Sequence, residues 1–228
     1  MRTLFLWITT ALYSQFGMNL THAQENDYVV MQTNQTLTLL AIRCKTDSKI
    51  ILEEITTPHQ TLPSSWASWI DANAPGHTSW TLTEIDLNSI QVLQCYSFTK
   101  SAWIQITQGE SPLLTLLTLP LSKVPLSQQR KIGPPPQDGE SDFRSVWKPP
   151  LVFEGKQIEH PTFDVYQATW PKDASPFSEK TICLYFDHHK RTPFPYFLQI
   201  DTAHATGVLR TLDAGNNLPS SNKFLPDF

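Results

Sequence analysis

Asp187, His188 and His189 stand together directly after an apolar run and are followed by Lys190, Arg191 and Thr192. A carboxylate beside two imidazoles offers the oxygen and nitrogen donors that zinc and related divalent ions accept. His160, Asp164 and His204 could add ligands from neighbouring strands, so the metal candidates are His160, Asp187, His188 and His189. Consecutive strand residues point to opposite faces, and His188 and His189 could share an ion only where a turn bends them together. The competing reading is a solvated polar turn.

Following a strand-like segment, the triplet Asp187-His188-His189 resembles the signature of the DHH phosphoesterases. The resemblance rests on three residues and the strand before them. It implies an α/β framework that holds divalent metals beside a phosphate ester, with Asp187, His188 and His189 in the family's roles. Members also carry an upstream Asp-x-Asp motif, and this chain has none. Other catalytic patterns are also missing: no Gly-x-Ser-x-Gly elbow, no His-Glu-x-x-His and neither glycine-rich phosphate loop occurs. Cys183 lies in mid-strand, a poor place for a reactive thiolate. Glu53 and Glu54 are adjacent, so on a strand they face opposite ways and cannot form an acid–base pair.

The element that must position the triplet is the stretch 181–200, which reads as two strands and a polar turn. Ile182, Leu184 and Phe186 share one face of the first arm, and Phe194, Tyr196, Leu198 and Ile200 share one face of the second. Trp170, Phe194, Tyr196 and Phe197 crowd this region. They are the candidate ligand-binding residues if the sheet curves around an apolar hollow. Such a hollow would resemble, in architecture only, the open β half-barrels of periplasmic lipoprotein carriers.

Earlier in the chain, 36–56 reads as a hairpin, and strands are expected near 28–31, 80–87, 90–98 and 102–107. Trp66, Trp69 and Ile70 after a serine cap fit one short amphipathic helix, and an aromatic pair at that spacing usually buries area. Leu113 to Leu121, confined by Pro112 and Pro120, suits either a buried strand or a single helical span. Residues 123–150 are proline-rich and read as a linker or long loop whose Arg130, Lys131 and Arg144 could meet an acidic partner. Strand character resumes at 151–153, 162–170 and 207–212, and 219–228 reads as a loose tail. The organisation expected is therefore 1–23 leader, 24–122 N-terminal β region, 123–150 linker, 151–218 C-terminal antiparallel β region and 219–228 tail. The fold class is mainly β: antiparallel sheets, as a sandwich or curved half-barrel, with one or two short helices.

Residues 1–23 have the plan of a signal peptide: Arg2, an apolar stretch from Leu4 to Leu12, then Thr21-His22-Ala23 as a small-residue cleavage site. Export follows, to the periplasm or beyond the cell. No later apolar run is long enough to span a bilayer as a helix. The 228 residues carry a net charge of −4, which offers no electrostatic reason to expect nucleic acid. In an oxidising compartment, Cys44 could bridge Cys95, the alternative being three reduced thiols. The sequence thus supports an exported, non-catalytic, cofactor-free β protein of the cell envelope or secreted fraction that binds a protein partner or an apolar ligand. The alternatives are a metal-assisted hydrolase using Asp187-His188-His189 and a purely structural envelope component.

Overall fold

The computed structural model describes residues 15–33, 35–59, 63, 65–106, 111–175, 177–201 and 206–226. The apolar part of the leader and His204 lie outside these. Alternating apolar residues build an open antiparallel sheet of eleven strands, so the chain is mainly β, as its periodicity predicts. The first six strands are β1 (Tyr28–Gln32), β2 (Thr36–Lys45), β3 (Lys49–Pro58), β4 (Ser79–Asp86), β5 (Gln91–Ser97) and β6 (Ala102–Ile104). They run as a meander, β1 to β6, each paired with the next.

The edge strand β7 (Ser122–Lys123) pairs with β10 (Phe163–Thr169), which continues through β11 (Thr181–Asp187) and β12 (Phe197–Asp201) to β13 (Thr206–Gly215). The last strand then inserts beside the first, with Tyr28 opposite Gly215 and Val29 opposite Ala214. That pairing joins the N-terminal and C-terminal strand sets into one sheet. A separate two-stranded ribbon, β8 (Leu151–Phe153) with β9 (Lys156–Ile158), is tied to β13 through Glu154 N–H and the Ala214 carbonyl, 2.7 Å apart.

Three short helices cover the sheet: α1 (Gln15–Leu20), α2 (Trp66–Asp71) and α3 (Pro112–Thr118). Ser65 caps α2 by accepting the Ser68 N–H, and Ser111 caps α3 by accepting the Leu114 N–H. Proline at the first position of α3 settles the ambiguous Leu113–Leu121 run as a helix, because its missing N–H costs nothing there. α1 and α3 lie over one face, where Leu40, Leu52, Ile85, Leu184, Phe186, Phe194, Leu198 and Ile200 form a continuous core with Phe16 and Leu20. α2 covers the other face over Val30, Leu39, Ile55 and Trp80.

Two expectations about the periphery need correcting. Residues 218–226 form a strap across the face of Trp80: Arg43 donates to the carbonyls of Ser221 and Lys223, Ser221 Oγ donates to Glu53 at 2.7 Å, and Phe224 packs on Tyr96 and Phe98. The cysteines are the second: Cys44 and Cys95 form no bridge with each other, which leaves the reduced alternative for this pair. Cys44 on β2 and Cys95 on β5 are three strand spacings apart, about 14 Å, too far for a disulfide. Burial pushes the Cys95 thiol upward, which keeps it inert.

Candidate functional site

The hairpin turn after β11 resolves the Asp187 triplet. Asp187 is buried at the end of the strand, where its carboxylate accepts from the Arg191 backbone N–H at 3.0 Å and pairs with the Arg191 guanidinium at 3.1 Å. It is thereby a turn lock that aims inward. His188 leaves the turn towards β10 and meets Asp164 at 3.0 Å, while His189 is exposed. His160 sits at φ 51° in the turn after β9 and is also exposed. Among the described residues, no three His, Cys, Asp or Glu side chains converge on a point where an ion could sit. The Asp187 carboxylate is taken up by Arg191, and the His188 and His189 rings meet edge-on with centroids 5.6 Å apart, without a third ligand among the described residues.

The aromatic set is brought together, but chiefly as core. Trp170 is buried, donates Nε1–H to Asp173 at 2.7 Å and packs on Phe177. Phe194 is fully buried against Phe16. Tyr196 hydrogen-bonds the Val152 backbone, and burial pushes its phenol up to about 12. Phe197 alone approaches a surface hollow. It faces the opposite side of the sheet, in contact with Trp147 (ring centroids 5.1 Å apart) and Tyr185 (5.4 Å).

That contact marks a cleft of about 570 Å³. One wall is the β10–β11 surface, with Phe163, Val165 and Tyr185. The other is the proline-rich segment 123–150, which folds back as an arm instead of running on as an extended spacer. Two hydrogen bonds shape the arm, Trp147 N–H to the Arg130 carbonyl at 2.7 Å and Ile132 N–H to the Ser145 carbonyl at 2.9 Å, which together make an isolated bridge between Lys131 and Val146. Asp142 clamps it further by pairing with Lys131 (2.7 Å) and Arg144 (2.9 Å), and those two hydrogen bonds, Arg144 first, hold its carboxyl well below the usual range. Arg130 lies 4.7 Å over the Trp147 ring, a cation–π contact on the indole, which meets Tyr185 edge-on.

The cleft is apolar at its base and charged at its rim. Lys123 reaches Asp164 at 2.7 Å, so Asp164 is held between Lys123 and His188. Burial opposes its ionisation, yet the two hydrogen bonds prevail and its carboxyl lies below the ordinary value. Lys148 adds a second lysine to the rim. The rim therefore has cationic excess around an aromatic floor, in a chain that is acidic overall. Farther along the arm Leu126, Ile132 and Phe143 are exposed, Phe143 by 92%.

Sequence patterns singled out His188 and Phe197 but missed Trp147, Phe163 and Tyr185 as one surface. Tyr185 was readable as lying opposite Leu184 and Phe186. Trp147 gave no signal, since nothing local shows that the arm turns back. Three Ser-x-x-Lys spacings also occur, at Ser97–Lys100, Ser145–Lys148 and Ser220–Lys223. Ser97 is buried and caps a turn by accepting the Lys100 N–H, and Ser145 and Ser220 are exposed, so none is set up as an activated nucleophile.

The family model described as "CT021 protein" matches residues 38–159, more than half of the chain. Among solved structures, the chain is similar to the hypothetical protein CT021 from Chlamydia trachomatis, with a TM-score of 0.67 and 23% sequence identity over 95% of this chain and 100% of that one. At that identity the likeness concerns the fold. No curated protein matches the sequence. No helix among the described residues is long and apolar enough to cross a membrane.

Proposed function

The chain belongs to the CT021 protein family, and from that premise we propose that it is a non-catalytic binding protein whose cleft between the 123–150 arm and β10–β11 receives an apolar, acidic segment of a partner polypeptide. The observation that carries this reading is the aromatic floor of Trp147, Phe163 and Tyr185 beneath a lysine-bearing rim. An apolar floor with a few placed polar groups is how such clefts obtain both affinity and orientation. Aromatic anchors held by their neighbours are the residues that most often dominate binding energy. Exposed Leu126, Ile132 and Phe143 favour a polypeptide occupant, because a partner's surface can cover the arm as well as fill the cleft. Lys148, the rim lysine not engaged by Asp164, favours one that carries carboxylates.

Export to the cell envelope or beyond belongs to the same proposal and is supported by the pattern of residues 1–23. Packing sets a condition on it: Phe16, Leu20 and Ala23 are core residues, and Lys45 donates to the Thr21 carbonyl at 2.7 Å. A chain cut after Ala23 must repack that face.

The test is an array of decapeptides in which Leu, Phe or Trp is set beside zero, one or two Asp or Glu, probed with the wild-type chain and with Trp147→Ala. We expect retention of the apolar-acidic peptides by wild type, with at least a tenfold loss for Trp147→Ala. Lys148→Ala should weaken only the acidic members. Retention that ignores peptide sequence, or survives Trp147→Ala, would remove the reading.

A further inference from the structure

A second hollow, of about 210 Å³, lies on the opposite face of the sheet among β1, β2, β3, β12 and β13, closed by α1 and α3. Its wall is mostly hydrocarbon, including Phe16, Leu40, Leu116, Leu198 and Leu209, with Thr33, Thr38 and Ser111 as the neutral polar members. Into it projects Glu54, from the face of β3 shared with Ile50 and Leu52. Its neighbour Glu53 goes the other way, where Trp80 Nε1–H donates to it at 2.8 Å and Ser221 Oγ at 2.7 Å. Glu54 receives no such answer: among the described residues, no hydrogen bond or ion pair reaches its carboxylate. Desolvation raises its pKa above the ordinary 4.5. Among the described residues, no Lys, Arg or His lines the hollow.

Glu54 is partly buried and its carboxylate still touches solvent, so water meets it in the empty protein, but the apolar wall around it makes that hydration poor and leaves a place for an opposite charge. The hollow is large enough for a small organic molecule, and water alone would meet mostly hydrocarbon there. We propose that this hollow is a binding site for a small hydrophobic amine, whose ammonium pairs with the Glu54 carboxylate while its apolar body packs on Leu40, Leu198 and Leu209. A carboxylic acid of the same shape would set two carboxyl groups against each other. An alcohol would fill the space without supplying the charge that Glu54 lacks. The amine does both, and in a medium of low dielectric the ion pair discriminates strongly.

A proton accompanies the event. Where Glu54 is protonated in the empty protein, entry of an ammonium displaces that proton to solvent, so affinity rises with pH until the amine itself deprotonates. The groups that face Glu54 do not blur this signature. Thr38 and Leu40 on β2 and Thr81 on β4 do not titrate, and Cys95 on β5 is kept a neutral thiol by burial and by the Glu54 charge itself.

The test is calorimetric titration of the full chain with cyclohexylmethylamine, cyclohexylmethanol and cyclohexanecarboxylate, at pH 6 and 8, in buffers of different ionisation enthalpy. The amine should bind at least tenfold more tightly than the alcohol and the acid, with release of a fraction of a proton at pH 6. Glu54→Gln, close in size and unable to ionise, should lose that tenfold preference and the proton release while keeping the alcohol's affinity within about twofold. A circular-dichroism melt of the variant confirms that it is folded. Equal affinity for amine and alcohol, an amine preference that survives in Glu54→Gln, or no binding of the amine to the folded wild type would each overturn the assignment.

Discussion

The turn after β11 and the hollow at Glu54 treat charge in opposite ways. In the turn, Asp187 is answered by Arg191, and Asp164 by Lys123 and His188. In the hollow, Glu54 is surrounded by leucine and phenylalanine and is answered by nothing among the described residues. The turn is where the sequence carries its densest chemistry, yet its groups satisfy one another. The hollow carries one acid at an unremarkable position in a strand. Residue types therefore point to chemistry less reliably here than the question of which polar groups lack a partner, because an unsatisfied group is costly and persists for a reason.

The largest effect bearing on this contrast comes from the wall of the hollow. Removing residues 1–23 takes away Phe16 and Leu20, both fully buried. Losses of about 3 to 5 kcal/mol for a buried phenylalanine, and about 2 to 5 for a buried leucine, should leave the shortened chain marginal. Thermal melts of the 1–228 and 24–228 chains check this, and equal melting temperatures would show that the α1 face repacks. Next comes Asp187→Ala. The loss of a buried carboxylate with two partners should cost about 2 to 3 kcal/mol, less than a fully enclosed pair because Arg191 reaches water. Urea unfolding would show it as a lower midpoint.

A gain is expected at Glu54. Its folded pKa lies above the unfolded value, so the folded state holds more protons and stability falls as pH rises from about 4.5 through the raised value. Glu54→Gln escapes that fall. The variant should match wild type near pH 4 and be the more stable of the two near pH 8, in a gap that widens with pH. A gap that closes with rising pH would contradict an unanswered carboxylate. The smallest effect belongs to His188→Ala, which removes an exposed partner of Asp164 and should change stability by less than about 0.5 kcal/mol. Addition of a chelator should leave the melting temperature of both chains unchanged.

Much of the scaffold was legible because its signals are local. Ile182, Leu184 and Phe186 share a core face with Phe194, Tyr196, Leu198 and Ile200, as their alternation requires. Glu53 and Glu54 diverge as neighbours on a strand must. Ser65 with Trp66, Trp69 and Ile70 gives the expected helix. What the chain does not advertise is contact between distant segments. The pairing of β1 with β13 joins Tyr28 to Gly215, and the only hint is a glycine with no room for a side chain, since a Cβ there would lie 2.6 Å from the Tyr28 ring. The arm of 123–150 has the composition of a spacer, and its turn-back depends on Trp147 meeting Tyr185 and Phe197 across the sheet. In the histidine turn, an ion pair four residues apart, Asp187 with Arg191, looks in sequence like two separate functional charges.

The central claim is that recognition takes place on the aromatic cleft and not at the histidine turn. Its most direct test is two-dimensional NMR of the ¹⁵N-labelled chain titrated with the decapeptide that the array retains best. The account predicts shifts at the Trp147 indole N–H and at the Phe163, Val165 and Tyr185 amides, with His160 and His189 unmoved. Shifts centred on His160 and His189, with Trp147 unchanged, would contradict it.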